Sequence, residues 1–458
     1  MNEDFRKTAP APLAPVPFHI PKPFETALPN GLKVVVFEDK RLPIVSFRLA
    51  FRIGEAHDAS NATGQTSAMV SMLNEGTRNR SSKQFAEEIE RLGAHLSASS
   101  NSDNTIVSAS VLTLYGPDIL SLMAETVLTP TFPQNELDLY KQNTIEHLKF
   151  QRSQPNFLAD EQISRILYGE HPYHIASPSP ENIENITRED LIDLHAKRFV
   201  PNLATFIVVG DVEREEILKE IEDKFGKWKQ GSLGEIEFPA PPERTQTTLT
   251  IVDRPESAQS NIVISNLAIN RNSEDYFAFL VMNQILGAGA SSRLFMNLRE
   301  EKGYTYGAYS SIDARRLAGS IEATSEVRSA VTGDSLKEFF YELNRIRDDK
   351  VSETEIADAK NFLTGVFPIR AETQEGLTNL IVSQMLNNLP DDYLQTYRDK
   401  INEITLEDVE RVAKKYITPE KIAVVIVGDA KNILEQVKYL TPSIEIFDTD
   451  GKLKTGEF

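Results

Sequence analysis

The chain has 458 residues, with 49 Lys and Arg against 68 Asp and Glu, a net charge of −19 that repels phosphate backbones and argues against nucleic-acid binding by counterion release. It contains no cysteine, which rules out a disulfide framework, a Cys-ligated zinc site and a thiol nucleophile. Its longest purely apolar run, residues 276–282, is far too short to span a bilayer, and residues 1–8 are charged with no apolar segment after them, so no signal peptide is expected. A soluble chain follows, periplasmic if a signal peptide has been removed and otherwise cytoplasmic.

Residues 1–23 read as a proline-rich arm, with Pro10, Pro12, Pro15, Pro17, Pro21 and Pro23 favouring an extended, polyproline-like path. Pro29-Asn30-Gly31 is a turn signal. Residues 32–37 and 43–53, rich in Val, Ile and Phe, predict strands. Residues 64–73 and 81–92 predict helices, the second with Ser81 as N-cap. Residues 94–114 alternate small, polar and β-branched side chains as paired strands do. Helices are predicted over 118–127, 133–151, 156–168 and 189–199, then a strand over 204–209 and a helix over 213–225. Residues 231–246 read as a linker, after which 247–252 begins a second unit with a strand.

An internal repeat organises the chain. Ile186-Thr187-Arg188-Glu189-Asp190 recurs as Ile404-Thr405-Leu406-Glu407-Asp408, and Ile207-Val208-Val209-Gly210-Asp211 recurs as Val425-Ile426-Val427-Gly428-Asp429. The spacing is too long for a solenoid and fits a duplicated domain. The units are 24–230 and 247–440, with 441–458 as a tail. Strands and long helices without strict alternation predict an α+β fold: two homologous domains, each a largely antiparallel sheet packed against long helices.

Residues 287–307 hold the best candidates for chemistry. Gly287-Ala288-Gly289-Ala290 forms a small-residue turn and lacks the Gly-Lys-Ser/Thr ending of a phosphate loop. Leu294, Phe295 and Leu298 follow at helical spacing, Gly303 stops the helix, and Tyr304 and Tyr306 open a strand. Arg299 and Tyr306 can then share one side of a helix–turn–strand junction. By spacing alone, Arg299 could equally pair with Glu300 or Glu301 on a solvated face while Tyr306 packs as a strand aromatic. His171 and His174, separated by Pro172 and Tyr173, are the one close histidine pair and read as a structural loop.

These residues resemble the M16 peptidase family, which includes pitrilysin, insulin-degrading enzyme, mitochondrial processing peptidase and short bacterial relatives. The resemblance runs over roughly residues 24–440. It rests on the opening turn at 28–36, the Gly-Asp ends of both repeated strands and the long run 291–307. It implies the duplicated α+β fold described as LuxS/M16 metalloenzyme-like. Family members hold zinc on an inverted His-x-x-Glu-His helix plus a downstream Glu. The matching positions here are Ser67, Val70, Ser71 and His147, with Tyr140 where a supporting Glu is expected and Glu146 one residue off the ligand position. The resemblance therefore implies no metal and no cofactor in this chain.

The resemblance also implies that Arg299 holds peptide backbone and Tyr306 donates to the oxyanion of a tetrahedral intermediate, with Gly287, Gly289, Arg293 and Tyr304 as substrate-binding positions. The chain is then expected to be a pseudoenzyme, inactive alone. Its partners would be a zinc-bearing M16 subunit in a heterodimer and an unfolded peptide substrate. A non-catalytic M16-like scaffold or a peptide-binding accessory subunit is the alternative.

Overall fold

A computed structural model describes residues 19–234, 236–441 and 443–454; Pro10, Pro12, Pro15 and Pro17 of the predicted arm lie outside these. The first sheet contains β1 (Phe24–Ala27), β2 (Lys33–Glu38), β3 (Ile44–Phe51), β4 (His95–Ser100), β5 (Thr105–Leu112) and β6 (Ala204–Gly210). Its strand order is β1-β2-β6-β3-β5-β4. The second contains β7 (Thr248–Asp253), β8 (Gln259–Leu267), β9 (Thr305–Ala314), β10 (Gly319–Arg328), β11 (Ala423–Gly428) and β12 (Ile444–Phe447), in the order β12-β7-β11-β8-β10-β9. From β2 to β4 and from β7 to β9 the two orders correspond strand for strand, so the sequence repeat is a repeat of topology. β2 runs parallel to β6, and β7 to β11; the pairs from there out to β4 and β9 are antiparallel. This is the predicted α+β fold with largely antiparallel sheets.

The outermost positions are filled from opposite ends of the chain. β1 precedes β2 and pairs with it antiparallel, whereas β12 comes from residues 441–458 and pairs parallel with β7. The segment read from sequence as a tail thus supplies a strand. Ile444, Ile446 and Phe447 are too few to signal one, and their pairing depends on a distant edge.

Both copies of the Ile-Thr motif start helices by the same chemistry. Thr187 caps the helix Arg188–Arg198 and Thr405 caps Leu406–Tyr416, each in a reciprocal capping box with Asp190 or Asp408. Ser81 caps Ser82–Leu92 in the same way through Gln84.

The two halves cover each other. The helix Pro155–Tyr168, encoded in the first half, packs Leu158, Ala159, Ile163 and Leu167 onto Val252, Val263, Val425 and Val427 of the second sheet. In return the helix Gln374–Leu386 crosses to the first sheet. Gln374 Nε2 donates to the carbonyls of Ile44 (2.8 Å) and Val209 (3.2 Å), and buried Arg48 reaches both oxygens of Glu375 at 2.6 Å. Val35, Phe37, Ala50, Ile207 and Val209 of the first sheet belong to the core of the second half. The linker therefore separates two sheets but not two independent cores. No helix among the described residues is long and apolar enough to cross a membrane.

Candidate functional site

The second half carries the helix–turn–strand junction. The helical turn Phe295–Glu301 is wound as a π-helix, anchored by fully buried Leu294 and Leu298. Asn297 fixes it to the neighbouring helix Thr332–Asp348 by donating to Glu338 (3.0 Å) and Glu342 (2.9 Å). The Lys302 N–H bonds to the Asn297 carbonyl (3.0 Å) and the Tyr304 N–H to that of Leu298 (3.0 Å). Gly303, at φ +65°, makes the left-handed stop that a side chain would strain. β9 begins two residues later.

β9 is the outer strand of its sheet, so one side of its backbone is unpaired. At its start the ladder is interrupted. Ala308 pairs with Ser325 and Thr305 with Val327, leaving Tyr306 and Gly307 opposite the single residue Glu326. This β-bulge re-aims the strand. Thr305 Oγ1 donates to the Glu326 carbonyl (2.7 Å) and Ser325 Oγ to that of Gly307 (2.9 Å), so the distorted backbone stays satisfied. Tyr306 is 91% exposed, its ring and hydroxyl held out from the protein.

Arg299 meets Tyr306 through the backbone. Its Nε donates to the Tyr306 carbonyl at 3.1 Å, its Nη1 to Glu300, and its guanidinium lies 5.3 Å from the centre of the Phe295 ring. Both features weighed from sequence are present: the residues are adjacent, and Arg299 also takes Glu300 as a partner. Tyr306 does not pack as a strand aromatic.

The other predicted substrate residues occupy different settings. Gly287 is buried under β9: the Ser310 N–H donates to its carbonyl (2.9 Å), and a Cβ there would stand 2.3 Å from that same nitrogen. Gly289 sits beside Gln284, whose Nε2 would be 3.0 Å from an added Cβ. Arg293 is 7% exposed and forks onto Glu355 at 2.7 and 3.1 Å. Burial alone would raise the Glu355 carboxyl, but Arg293 and Ser352 outweigh it and hold it at about 2. Tyr304 is half-buried next to the Arg299 turn.

Of the positions corresponding to a zinc site, Ser67 and Ser71 come together beside Tyr140, whereas Val70 and His147 lie elsewhere. Gly64, at φ +91°, opens the helix Gln65–Ser71. Its first turn is held by Asp58, which accepts from the Thr66 N–H (3.1 Å) and from buried Arg198 (3.0 Å). Val70 is 2% exposed in the core of the first half. Tyr140, on the helix Gln134–Arg152, brings its phenol close to Ser67, Thr144 and Ser71; burial raises its pKa. His147, two turns further along that helix, is exposed, and Glu146 pairs with Lys149 at 2.7 Å. The donor set at this point is two aliphatic hydroxyls and a phenol, which does not fit zinc's preference for imidazole and carboxylate. Among the described residues no group of three or more His, Asp or Glu side chains is placed to hold a metal ion.

The His171–His174 loop is a turn of 3-10 helix whose buried Tyr173 hydroxyl bonds to Asp103. This hydroxyl–carboxylate clasp was not foreseen from sequence, because its parts lie far apart in the chain.

Comparison with known proteins agrees with this geometry. Residues 33–180 match the family model for insulinase (peptidase family M16), and residues 185–363 match that for the peptidase M16 inactive domain. Among curated relatives, the chain is 24% identical to the uncharacterized zinc protease YmxG of Bacillus subtilis, over 84% of this chain and 92% of that protein. It is 23% identical to the non-peptidase homolog YmxG of Helicobacter pylori, over 88% and 93%. The crystal structure of the peptidase M16 inactive domain from Pseudomonas fluorescens superimposes with a TM-score of 0.83 at 28% identity, covering 89% of this chain and 97% of that one. The periplasmic protease PqqL of Escherichia coli matches at a TM-score of 0.75 and 17% identity, with 92% of this chain covering 49% of that one. Duplicated sheets, exchanged helices, the Arg–Tyr junction and both family models lead to one assignment: the chain belongs to the M16 peptidase family.

Proposed function

We propose that this chain is the zinc-free subunit of a two-chain M16 peptidase. Arg299 and Tyr306 complete an active site whose zinc is held by a His-x-x-Glu-His helix on a partner chain. The observation that carries this reading is Tyr306 itself, held 91% exposed by a β-bulge at the end of an unpaired edge strand. A tyrosine with no packing role and a free hydroxyl is suited to donate to an oxyanion that forms outside its own chain. The Ser67–Tyr140–Ser71 cluster supports the division of labour, since its oxygens cannot make a zinc-bound hydroxide. The match to about half the length of PqqL supports a partner of similar size.

The substrate is an unfolded peptide added as a strand beside β9, with Arg299 and Tyr304 close to its backbone. The Gly287–Gly289 turn and the Arg293–Glu355 fork hold β9 and its helix in place for that contact. The lone chain is expected to retain no stoichiometric zinc by elemental analysis and to cleave no peptide. Cleavage appears when the zinc-bearing subunit is added. In that complex Tyr306→Phe lowers kcat about 10²- to 10³-fold with little change in KM. Unchanged kcat would remove Tyr306 from the chemistry, and zinc-dependent cleavage by the lone chain would overturn the proposal.

A second reading is a peptide-binding scaffold without catalysis. Arg299 favours it, being already engaged by Glu300, the Phe295 ring and the Tyr306 carbonyl. Under that reading the chain binds peptides, and Tyr306→Phe leaves cleavage by any partner unaltered.

A further inference from the structure

The hairpin joining β9 to β10 reaches back to the first half. The Arg316 N–H donates to Asp103 Oδ2 at 3.0 Å, and the Leu317 N–H donates to the Tyr173 hydroxyl at 3.3 Å. The Arg315 guanidinium lies 4.8 Å from the centre of the Tyr173 ring. Arg316 then runs to the end of β3, where its Nη1 donates to the backbone carbonyl of Arg52 at 2.8 Å. Arg52 and Arg316, one from each half, are both half-buried here, and the charge of Arg316 reaches the Arg52 guanidinium.

Neither of them forms an ion pair among the described residues, and the Nε of each is buried with no hydrogen-bond partner. The neighbouring charges are already committed. Asp103 is engaged by the Tyr173 hydroxyl and the Arg316 N–H, and Asp58 is engaged by Arg198 at 3.0 Å. His57, facing the same corner, is driven down to about 4 by burial and by the charges of Arg316 and Arg198, so it is neutral at physiological pH. Burial, and then the charge of Arg316, lower the Arg52 pKa. A like-charged pair withdrawn from water without a counterion is costly. In a chain with 68 carboxylate side chains, the missing partner points to a counterion supplied from outside.

We propose that Arg52 and Arg316 together bind an oxyanion across the junction of the two halves, carried either by free phosphate or by the terminal carboxylate of a peptide. Both groups present oxygens at the spacing a guanidinium fork accepts. Such a ligand ties the end of β3 to the hairpin of the strand that bears Tyr306.

The test uses the purified full chain alone, so it is independent of the peptidase reading. Thermal unfolding is followed as inorganic phosphate replaces chloride at constant ionic strength. It is repeated with a short neutral peptide carrying a free or an amidated C-terminus. Phosphate or the free-carboxyl peptide is expected to raise Tm by several degrees in the wild type and to have no effect on Arg52→Gln. A response to phosphate alone assigns the site to a free anion. A response to the free carboxyl and not to the amide assigns it to a peptide terminus. Arg52→Gln keeps the carbonyl that receives Arg316, and its Tm without ligand is expected at or above that of the wild type. Calorimetric titration of the wild type with phosphate and with the free-carboxyl peptide gives a check that needs no variant. No saturable heat with either ligand, or an equal Tm rise in Arg52→Gln, overturns the proposal.

Discussion

Arg293 and Arg299 lie on one short segment and have opposite fates. Arg293 is buried, so its charge is tolerated only because Glu355 forks onto it. Arg299 sits at the surface, where its contact with Glu300 is screened and easily given up. Glu355→Gln is therefore expected to cost about 3–5 kcal/mol in denaturant unfolding by leaving the Arg293 charge unmatched, whereas Arg299→Gln stays within about 0.5 kcal/mol. The Glu355 pKa lies below its ordinary value, so the stabilisation is complete above about pH 4.5 and is lost as pH falls towards 2. The acid limb of a stability–pH curve should flatten in Glu355→Gln; an unchanged limb would show that the fork contributes nothing. Sequence alone could not separate these arginines, since both fall on one predicted helical run and burial is a property of the fold.

The junction as an element depends on two glycines for different reasons. Gly303 needs its left-handed backbone but has open space around it, so Gly303→Ala should cost about 1 kcal/mol and leave β9 docked. Gly287 has a negative φ of −161°, outside the left-handed region, yet a Cβ there would collide with the backbone of Ser310. Gly287→Ala must push β9 away, and its loss in denaturant midpoint is expected to exceed that of Gly303→Ala. Under the proposed two-chain reading, turnover of the assembled complex should fall with it, and equal midpoints would contradict the close approach. The helix stop and the strand start were legible because glycine and alternation are local signals. The π-helical winding and the bulge were not, because they depend on Asn297 bonding to Glu338 and Glu342 of the distant helix Thr332–Asp348 and on the register of β10. β12 was missed for the same reason: a four-residue strand exists only where an edge receives it.

At the scale of the whole molecule, the exchange of helices makes the junction between halves part of the core, and charge buried there becomes pH-dependent. A cavity of about 440 Å³ lies in this junction, lined by Glu55 and Asp160 of the first half and by Asp313, Arg315 and Glu322 of the second. Arg315 pairs with Asp313 at 2.6 Å, which leaves Glu322 without that cation. Burial, then Asp160 and Asp313, push Glu322 up to about 7. Because this lies above its unfolded value, the folded chain holds the proton more tightly. The penalty appears as pH rises past about 4.5 and is complete above 7. Glu322→Gln should thus stabilise the chain by on the order of 2 kcal/mol at pH 8, with the gain vanishing below about pH 4. A gap in Tm that does not change with pH would place the origin elsewhere.

The amino-acid sequence by itself determined the duplication, the family, the outline of both sheets and the altered zinc positions. These depend on periodicity, capping residues and fixed spacing along one helix, all of which act between residues close in the chain. Only the tertiary structure decided that Tyr140 sits beside Ser67 and Ser71 at the altered positions, that each half covers the other's sheet, and that Arg316 meets the backbone of Arg52. Those contacts join residues separated by long stretches of chain, and burial, which sets their energies, is defined only once both halves have packed. The same holds for Tyr306: its identity was legible at once, but its exposure is the work of a bulge in an edge strand.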